Sequence, residues 1–131
     1  MNRRLLICDD EPHVLEGLRF LLRRPNRKIT LARNGREALE LITAERPDLV
    51  ITDVMMPELS GLELVAQLRA RPETTELPVV IVTARGQRDD VAVAREIWGA
   101  HLVSKPFDPA ALRELVADLL GDRACTAPNS A

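Results

Sequence analysis

Five short apolar runs alternate with longer stretches of helical period. The runs are Leu5-Leu6-Ile7-Cys8, Lys28-Ile29-Thr30-Leu31-Ala32, Leu49-Val50-Ile51-Thr52, Val79-Val80-Ile81-Val82 and Leu102-Val103-Ser104. The first, third and fourth are almost continuously apolar, as strands covered on both faces of a parallel sheet must be. The second and fifth are more polar, which predicts positions nearer the sheet edges. Between the runs the spacing turns helical. Pro12 opens the first such segment, and Val14, Leu18, Leu21 and Leu22 share a face. Asn34 with Glu37, and Ser60 with Glu63, are capping-box pairs at the heads of the next two helices. Asp108-Pro109 opens the last helix, with Leu112, Leu115, Val116, Leu119 and Leu120 on one stripe. A weaker pattern over 88–98 (Val91, Val93, Ala94, Ile97) predicts a further helix before the fifth strand.

Five βα units in succession imply an α/β fold with helices on both faces of a parallel sheet. Right-handed crossovers reduce the topologies to a few. The expectation is a flavodoxin-like, doubly wound, five-stranded sheet of order 2-1-3-4-5 with five helices. Ligands bind such sheets beyond the carboxyl ends of the strands, where the strand order reverses. The expected domain is residues 1–121. The polar stretch 122–131 lacks any core-forming period and is expected to be a disordered tail. It is also too short for a helix-turn-helix, so the expected output is a partner protein rather than direct DNA binding.

Composition adds limits. The chain has 131 residues, enough for one core. Its only aromatics are Phe20, Trp98 and Phe107, so the core must be aliphatic. The formal charge is −2, and Lys and Arg read as spread along the chain, which argues against nucleic acid as the main partner. Cys8 and Cys125 make no disulfide framework, and Cys8 is expected buried and reduced. The apolar run after Met1-Asn2-Arg3-Arg4 is too short for a signal peptide or membrane span, so a cytoplasmic location without membrane contact is expected.

The switch-point rule brings particular strand ends together. They are Asp9-Asp10-Glu11 after the first run, Asp53 after the third, Thr83-Ala84 after the fourth and Lys105-Pro106-Phe107 after the fifth. Crowded carboxylates repel unless a cation joins them, and Mg²⁺ suits oxygen donors such as Asp10 and Asp53 with a backbone carbonyl and waters. Asp53 could then act as a carboxylate nucleophile toward a phosphoryl group. Lys105 supplies a compact positive charge and Thr83 a hydroxyl donor. Taken singly, each has a plainer reading: acids at a helix N-terminus, a strand-end threonine, a surface lysine.

Together, Asp9-Asp10, Asp53 with Met56-Pro57 and Gly61, Thr83-Ala84, and Lys105-Pro106-Phe107 resemble the receiver domain of two-component response regulators, over residues 3 to 120. The resemblance implies that Asp53 accepts phosphate from a phosphohistidine on a sensor histidine kinase or histidine phosphotransfer protein, or from small phosphodonors. It implies Mg²⁺ held by Asp10, Asp53 and the Met55 carbonyl, with Asp9 acting through a water. Thr83 and Lys105 would sense the phosphoryl group, and the Lys105-Pro106 bond would be cis. The signal would pass to a downstream effector, with homodimerisation open, through the face of the fourth helix, fifth strand and last helix. The family carries Tyr or Phe three residues before the lysine. Here Leu102 stands there, next to His101, which puts the aromatic switch in question; His101 is expected to be a solvated surface histidine. Met55 and Arg85, two residues after Asp53 and Thr83, are poorly suited to orient an attacking water, which predicts a long-lived phospho-form.

Two other readings stay open at this point. One is a degenerate receiver serving as an interaction scaffold. The other is a Mg²⁺-dependent phosphohydrolase with Asp53 as nucleophile, disfavoured because Met55 stands where many aspartyl-phosphate phosphatases carry a second acid.

Overall fold

The computed structural model describes residues 3–54, 56, 58–83, 99–105 and 107–121. The chain order is β1 (Arg3–Cys8), α1 (Pro12–Leu22), β2 (Arg27–Ala32), α2 (Gly35–Ala44), β3 (Leu49–Asp53), α3 (Gly61–Ala70), β4 (Val79–Thr83), β5 (His101–Ser104) and α4 (Pro109–Leu120). All neighbouring strands pair in parallel, in the order β2-β1-β3-β4-β5. This is the flavodoxin-like sheet expected, with the two more polar strands at its edges. The helix expected over 88–98, with Trp98, lies outside the described residues, so the four helices named are those among them. The 122–131 tail and Cys125 lie outside them too.

Alternation along each strand sorts the core into two layers. Leu5, Ile7, Leu49, Ile51, Val80 and Val82 face α1 and α4, where they meet Leu15, Leu18, Leu22, Leu112, Val116 and Leu120. Leu6, Cys8, Val50, Val79 and Ile81 face the other way, onto Ala38 and Ile42 of α2 and Leu64, Val65 and Leu68 of α3. Each fully buried Leu, Ile or Val contributes roughly 1.5–3 kcal/mol against exposure, before its entropy cost. The inward face of α1 is therefore Leu15, Leu18 and Leu22, with Val14 and Leu21 only half-buried on its flanks.

The caps follow the side chains expected, with one difference. Ser60 and Glu63 form the full reciprocal box at α3. Asp108 accepts from the Ala110 N–H at α4, which ends in Gly121 at φ 79°. At α2, Asn34 accepts from the Glu37 N–H at 2.7 Å, but Glu37 reaches back to the Arg33 N–H at 2.6 Å instead of to Asn34. That donor lies one residue earlier, where β2 has just ended.

Two glycines hold the turns beside the strand ends. A Cβ on Gly61 would stand 2.0 Å from the Asp53 carbonyl oxygen, and one on Gly35 would stand 2.1 Å from the Leu59 carbonyl oxygen. Backbone leaves neither room to give. Gly61→Ala is expected to destabilise the fold by at least ~2 kcal/mol, measured as a lower urea midpoint; an unchanged midpoint would show that the turn after β3 is not held as described.

Candidate functional site

Register brings the acids together. Cys8 pairs with Thr52 across β1 and β3, so the chain leaves both strands at the same level, with Asp9 just beyond one end and Asp53 at the other. Asp53 is opposite Val82 on β4, and Thr83 is opposite Ser104 on β5, the residue before Lys105. One edge of the sheet thus gathers Asp9, Asp10, Asp53 and Lys105, with Thr83 at the neighbouring strand end. For Thr83 only the strand position is described. Met55, Pro57, Ala84, Arg85 and Pro106 lie outside the described residues, and with them the Met55 carbonyl and the Lys105-Pro106 peptide bond.

Each acid is held differently. Asp9 is buried, at 2% exposure, while Asp10 faces solvent. Oδ1 of Asp9 accepts the Glu11 N–H at 2.9 Å, which ties the carboxylate to the first turn of α1. Oδ1 of Asp53 accepts the Val54 N–H at 2.7 Å, and the Asp53 carbonyl accepts from the Thr52 hydroxyl at 2.9 Å. Lys105 Nζ lies 3.7 Å from Asp9 Oδ2 and 3.5 Å from Asp53 Oδ2. The ammonium is therefore shared by two carboxylates, where the sequence pointed to Asp53 or an incoming phosphoryl group.

One carboxylate oxygen from each of Asp9, Asp10 and Asp53 falls in a group within 4.8 Å of one another. Three carboxylates face one ammonium, so the pocket carries excess negative charge. The donors are hard oxygens and one of them is open to water, a set that could hold a hard divalent cation. Burial raises the Asp9 pKa above its ordinary value, and Asp53 and Asp10 push it the same way. The Glu11 N–H and Lys105 offset that only in part.

Behind the acids lies a small sulfur and hydroxyl cluster that sequence reasoning missed. Cys8 Sγ is 3.2 Å from Met56 Sδ and 3.2 Å from the Asn34 carbonyl, and the Thr52 hydroxyl is 3.9 Å from the same Met56 sulfur. Burial pushes the Cys8 thiol up to about 12, so it stays protonated and inert, as expected of a buried reduced cysteine. No spacing rule pointed to this contact, because Cys8 and Met56 meet only through the β1–β3 pairing. Leu102 is half-buried against the layer formed by α2 and α3, and His101 is exposed.

The family model for the response regulator receiver domain matches residues 5–117. The chain belongs to that family. It is 41% identical over 117 residues to the response regulator MprA of Mycolicibacterium vanbaalenii, covering 89% of this chain and 48% of that protein. It is 32% identical over 130 residues to the alkaline phosphatase synthesis transcriptional regulatory protein PhoP of Bacillus subtilis, covering 99% and 53%. The chain thus spans about half the length of these two relatives. Among solved structures, a putative response regulator from Chloroflexus aurantiacus shares 34% identity at a TM-score of 0.83, covering 92% of this chain and 99% of that one. The chain is a two-component receiver domain, a signalling module rather than a conventional enzyme, and no helix among the described residues is long and apolar enough to cross a membrane.

The raised Asp9 pKa has a signed consequence for stability. Where the folded pKa of an acid exceeds its unfolded value, ionisation costs the fold. That cost is absent below the unfolded pKa and is incurred as pH rises through the folded one. In metal-free buffer, Asp9→Asn should therefore raise the urea midpoint at neutral pH. The gap should close as pH falls toward the ordinary carboxylate range; a gap that is flat with pH would contradict the burial argument.

Proposed function

We propose that the receiver unit, residues 1–121, accepts a phosphoryl group on Asp53 and signals by a change of surface. The observation that carries this is the shared ammonium: Lys105 lies beside both Asp53 and Asp9, in a pocket whose negative charge it does not balance. An Asp53 carboxylate oxygen attacks the phosphorus of a phosphohistidine or small acyl phosphate. The bond from phosphorus to the donor nitrogen or oxygen breaks, and its electron pair leaves with the donor. Asp53 becomes an acyl phosphate, and the new dianionic group sits where Lys105 can pair with it. Asp53's other oxygen is steadied by the Val54 N–H, which orients the carboxylate. Asp9, Asp10 and Asp53, with the Met55 carbonyl, would hold Mg²⁺. When bound, Mg²⁺ supplies charge neutralisation for the transferring oxygens.

Thr83 serves as hydroxyl donor to the phosphoryl oxygens, so that the group draws the ends of β4 and β5 together. The phosphodonor is a sensor histidine kinase or histidine phosphotransfer protein, the receiver of the signal is an effector protein, and the compartment is the cytoplasm. The scaffold and phosphohydrolase readings gain no support from any contact in the pocket.

Incubation with acetyl phosphate and Mg²⁺ should add one phosphoryl group, labile to hydroxylamine as an acyl phosphate is. Asp53→Asn and EDTA should each abolish it. Lys105→Ala should slow labelling by about tenfold or more. A label that survives Asp53→Asn would sink the assignment. Beryllofluoride with Mg²⁺ should shift backbone amide resonances in the native chain and leave Asp53→Asn unchanged; silence in both would favour the scaffold.

A further inference from the structure

At the end of the sheet opposite the acids, a pair of cations meets a cavity. β1 and β2 start side by side, with Arg4 opposite Lys28 and Leu6 opposite Thr30. Alternate residues of a strand share a face, so these four form a block on the side of the sheet that Leu6 shows to α2. Like charges directly opposite one another cost stability unless an anion lies between them. From Gly17 to Arg36 the chain holds seven Arg and Lys and no Asp or Glu, so β2 brings no acid of its own. The basic residues are thus less evenly spread than the whole-chain balance indicates.

The end of α2 supplies the anion. Glu45, its C-cap residue, places Oε1 3.0 Å from Lys28 Nζ and Oε2 3.6 Å from Arg4 Nη2. A helix C-terminus disfavours a carboxylate, and all three side chains are about half exposed, so these pairs hold weakly and can exchange. Beside them is a cavity of about 350 Å³, a volume that holds a small molecule, lined by Leu6, Thr30, Leu41, Ile42, Ala44 and Pro47 as well as by the three charged residues. Leu6, Ile42 and Pro47 are buried while Arg4, Lys28 and Glu45 are exposed, so the apolar wall lies inward and the charges stand at the opening. The lining carries two cations and one carboxylate, one positive charge in excess. Asp48 does not line it; its carboxylate accepts the Arg4 backbone N–H at 2.8 Å.

We propose that this cavity binds a small carboxylate with an aliphatic body, whose head replaces Glu45 between Arg4 and Lys28. Glu45 marks the position, because it is a carboxylate already seated between the two cations and tethered to α2. A free carboxylate makes the same two charge-assisted contacts, and its aliphatic body covers the apolar wall. A ligand cation would meet Arg4 and Lys28 with like charge. A bare anion would leave the wall exposed to water. Arg4 and Asp9 stand toward opposite ends of β1, so binding does not require Asp53 chemistry.

The test titrates the full ¹⁵N-labelled chain with octanoate, and with octanol, octylammonium and acetate in parallel. Octanoate should bind with a dissociation constant of about a millimolar or below. It should shift amides of β1, β2 and the end of α2, and do so equally in Asp53→Asn. Octanol and acetate should bind about tenfold more weakly or less, and the double change Arg4→Gln, Lys28→Gln should cost octanoate about the same factor. Octylammonium should not bind. Glu45→Gln is the decisive variant: with the competing carboxylate gone, octanoate should bind about threefold tighter or more. Ala44→Leu fills the cavity from an exposed helix position, and should keep the thermal midpoint while losing octanoate. No saturable shift up to about ten times the expected dissociation constant, octanol or octylammonium matching octanoate, or unchanged or weaker binding in Glu45→Gln would overturn the proposal, as would full binding in Ala44→Leu.

Discussion

Three carboxylates crowd around one ammonium at the carboxyl edge of the sheet, and the rest of the molecule is arranged to keep them there. Left to themselves Asp9, Asp10 and Asp53 would separate into water. They stay close because the paired halves of β1 and β3, Leu5–Cys8 and Leu49–Thr52, are buried and held in fixed register, so their ends cannot move apart without opening the core. The same burial desolvates Asp9 and raises its pKa above the ordinary carboxylate value. Stability elsewhere sustains a pocket that would be unfavourable in isolation.

The two core layers divide that task. The layer under α1 and α4 backs the strands that carry the acids, while the layer under α2 and α3 carries the turns next to them. Gly61 lies against the Asp53 carbonyl, and its N–H donates to the Val54 carbonyl at 2.9 Å. The chain therefore leaves β3 by one tight path, and Asp53 is aimed by backbone as well as by its own rotamer. Met56 then turns back onto Cys8 and Thr52, closing the turn against the strand ends with soft, polarisable contacts. Lys28 and Arg4 meet Glu45 at the far end of the sheet, where the Lys28 hydrogen bond and then Arg4 hold the Glu45 carboxyl below its ordinary range. Those exposed pairs add little to stability.

Much of this was legible in the residues alone. Continuous apolar runs marked the central strands, polar dilution marked β2 and β5 as edges, and Ser60 and Asp108 marked helix starts, because each rests on local chemistry that a short window contains. The reading faltered where contact crosses the chain. Glu37 caps through Arg33 because the exit of β2 puts that N–H nearer. Leu15 went unnoticed as the centre of the inward face of α1, since Val14 and Leu21 fit the period almost as well. Asp9 and Asp10 are neighbours in sequence and opposite in environment: Asp9 is buried beside Lys105 while Asp10 faces solvent. Alternation at a strand end decides which of two adjacent acids turns inward, and no composition rule reports it. The basic run after Gly17 was visible but averaged away, since a net charge of −2 conceals a local excess.

Asp9 also ties the pocket to α1. One of its oxygens faces Lys105 and the other holds the Glu11 N–H, so a change in charge at Asp53 that draws on Lys105 alters what Asp9 must balance. That bond to the Glu11 N–H links the buried carboxylate directly to the N-cap of α1. The helix is eleven residues long and is held to the sheet by Leu15, Leu18 and Leu22.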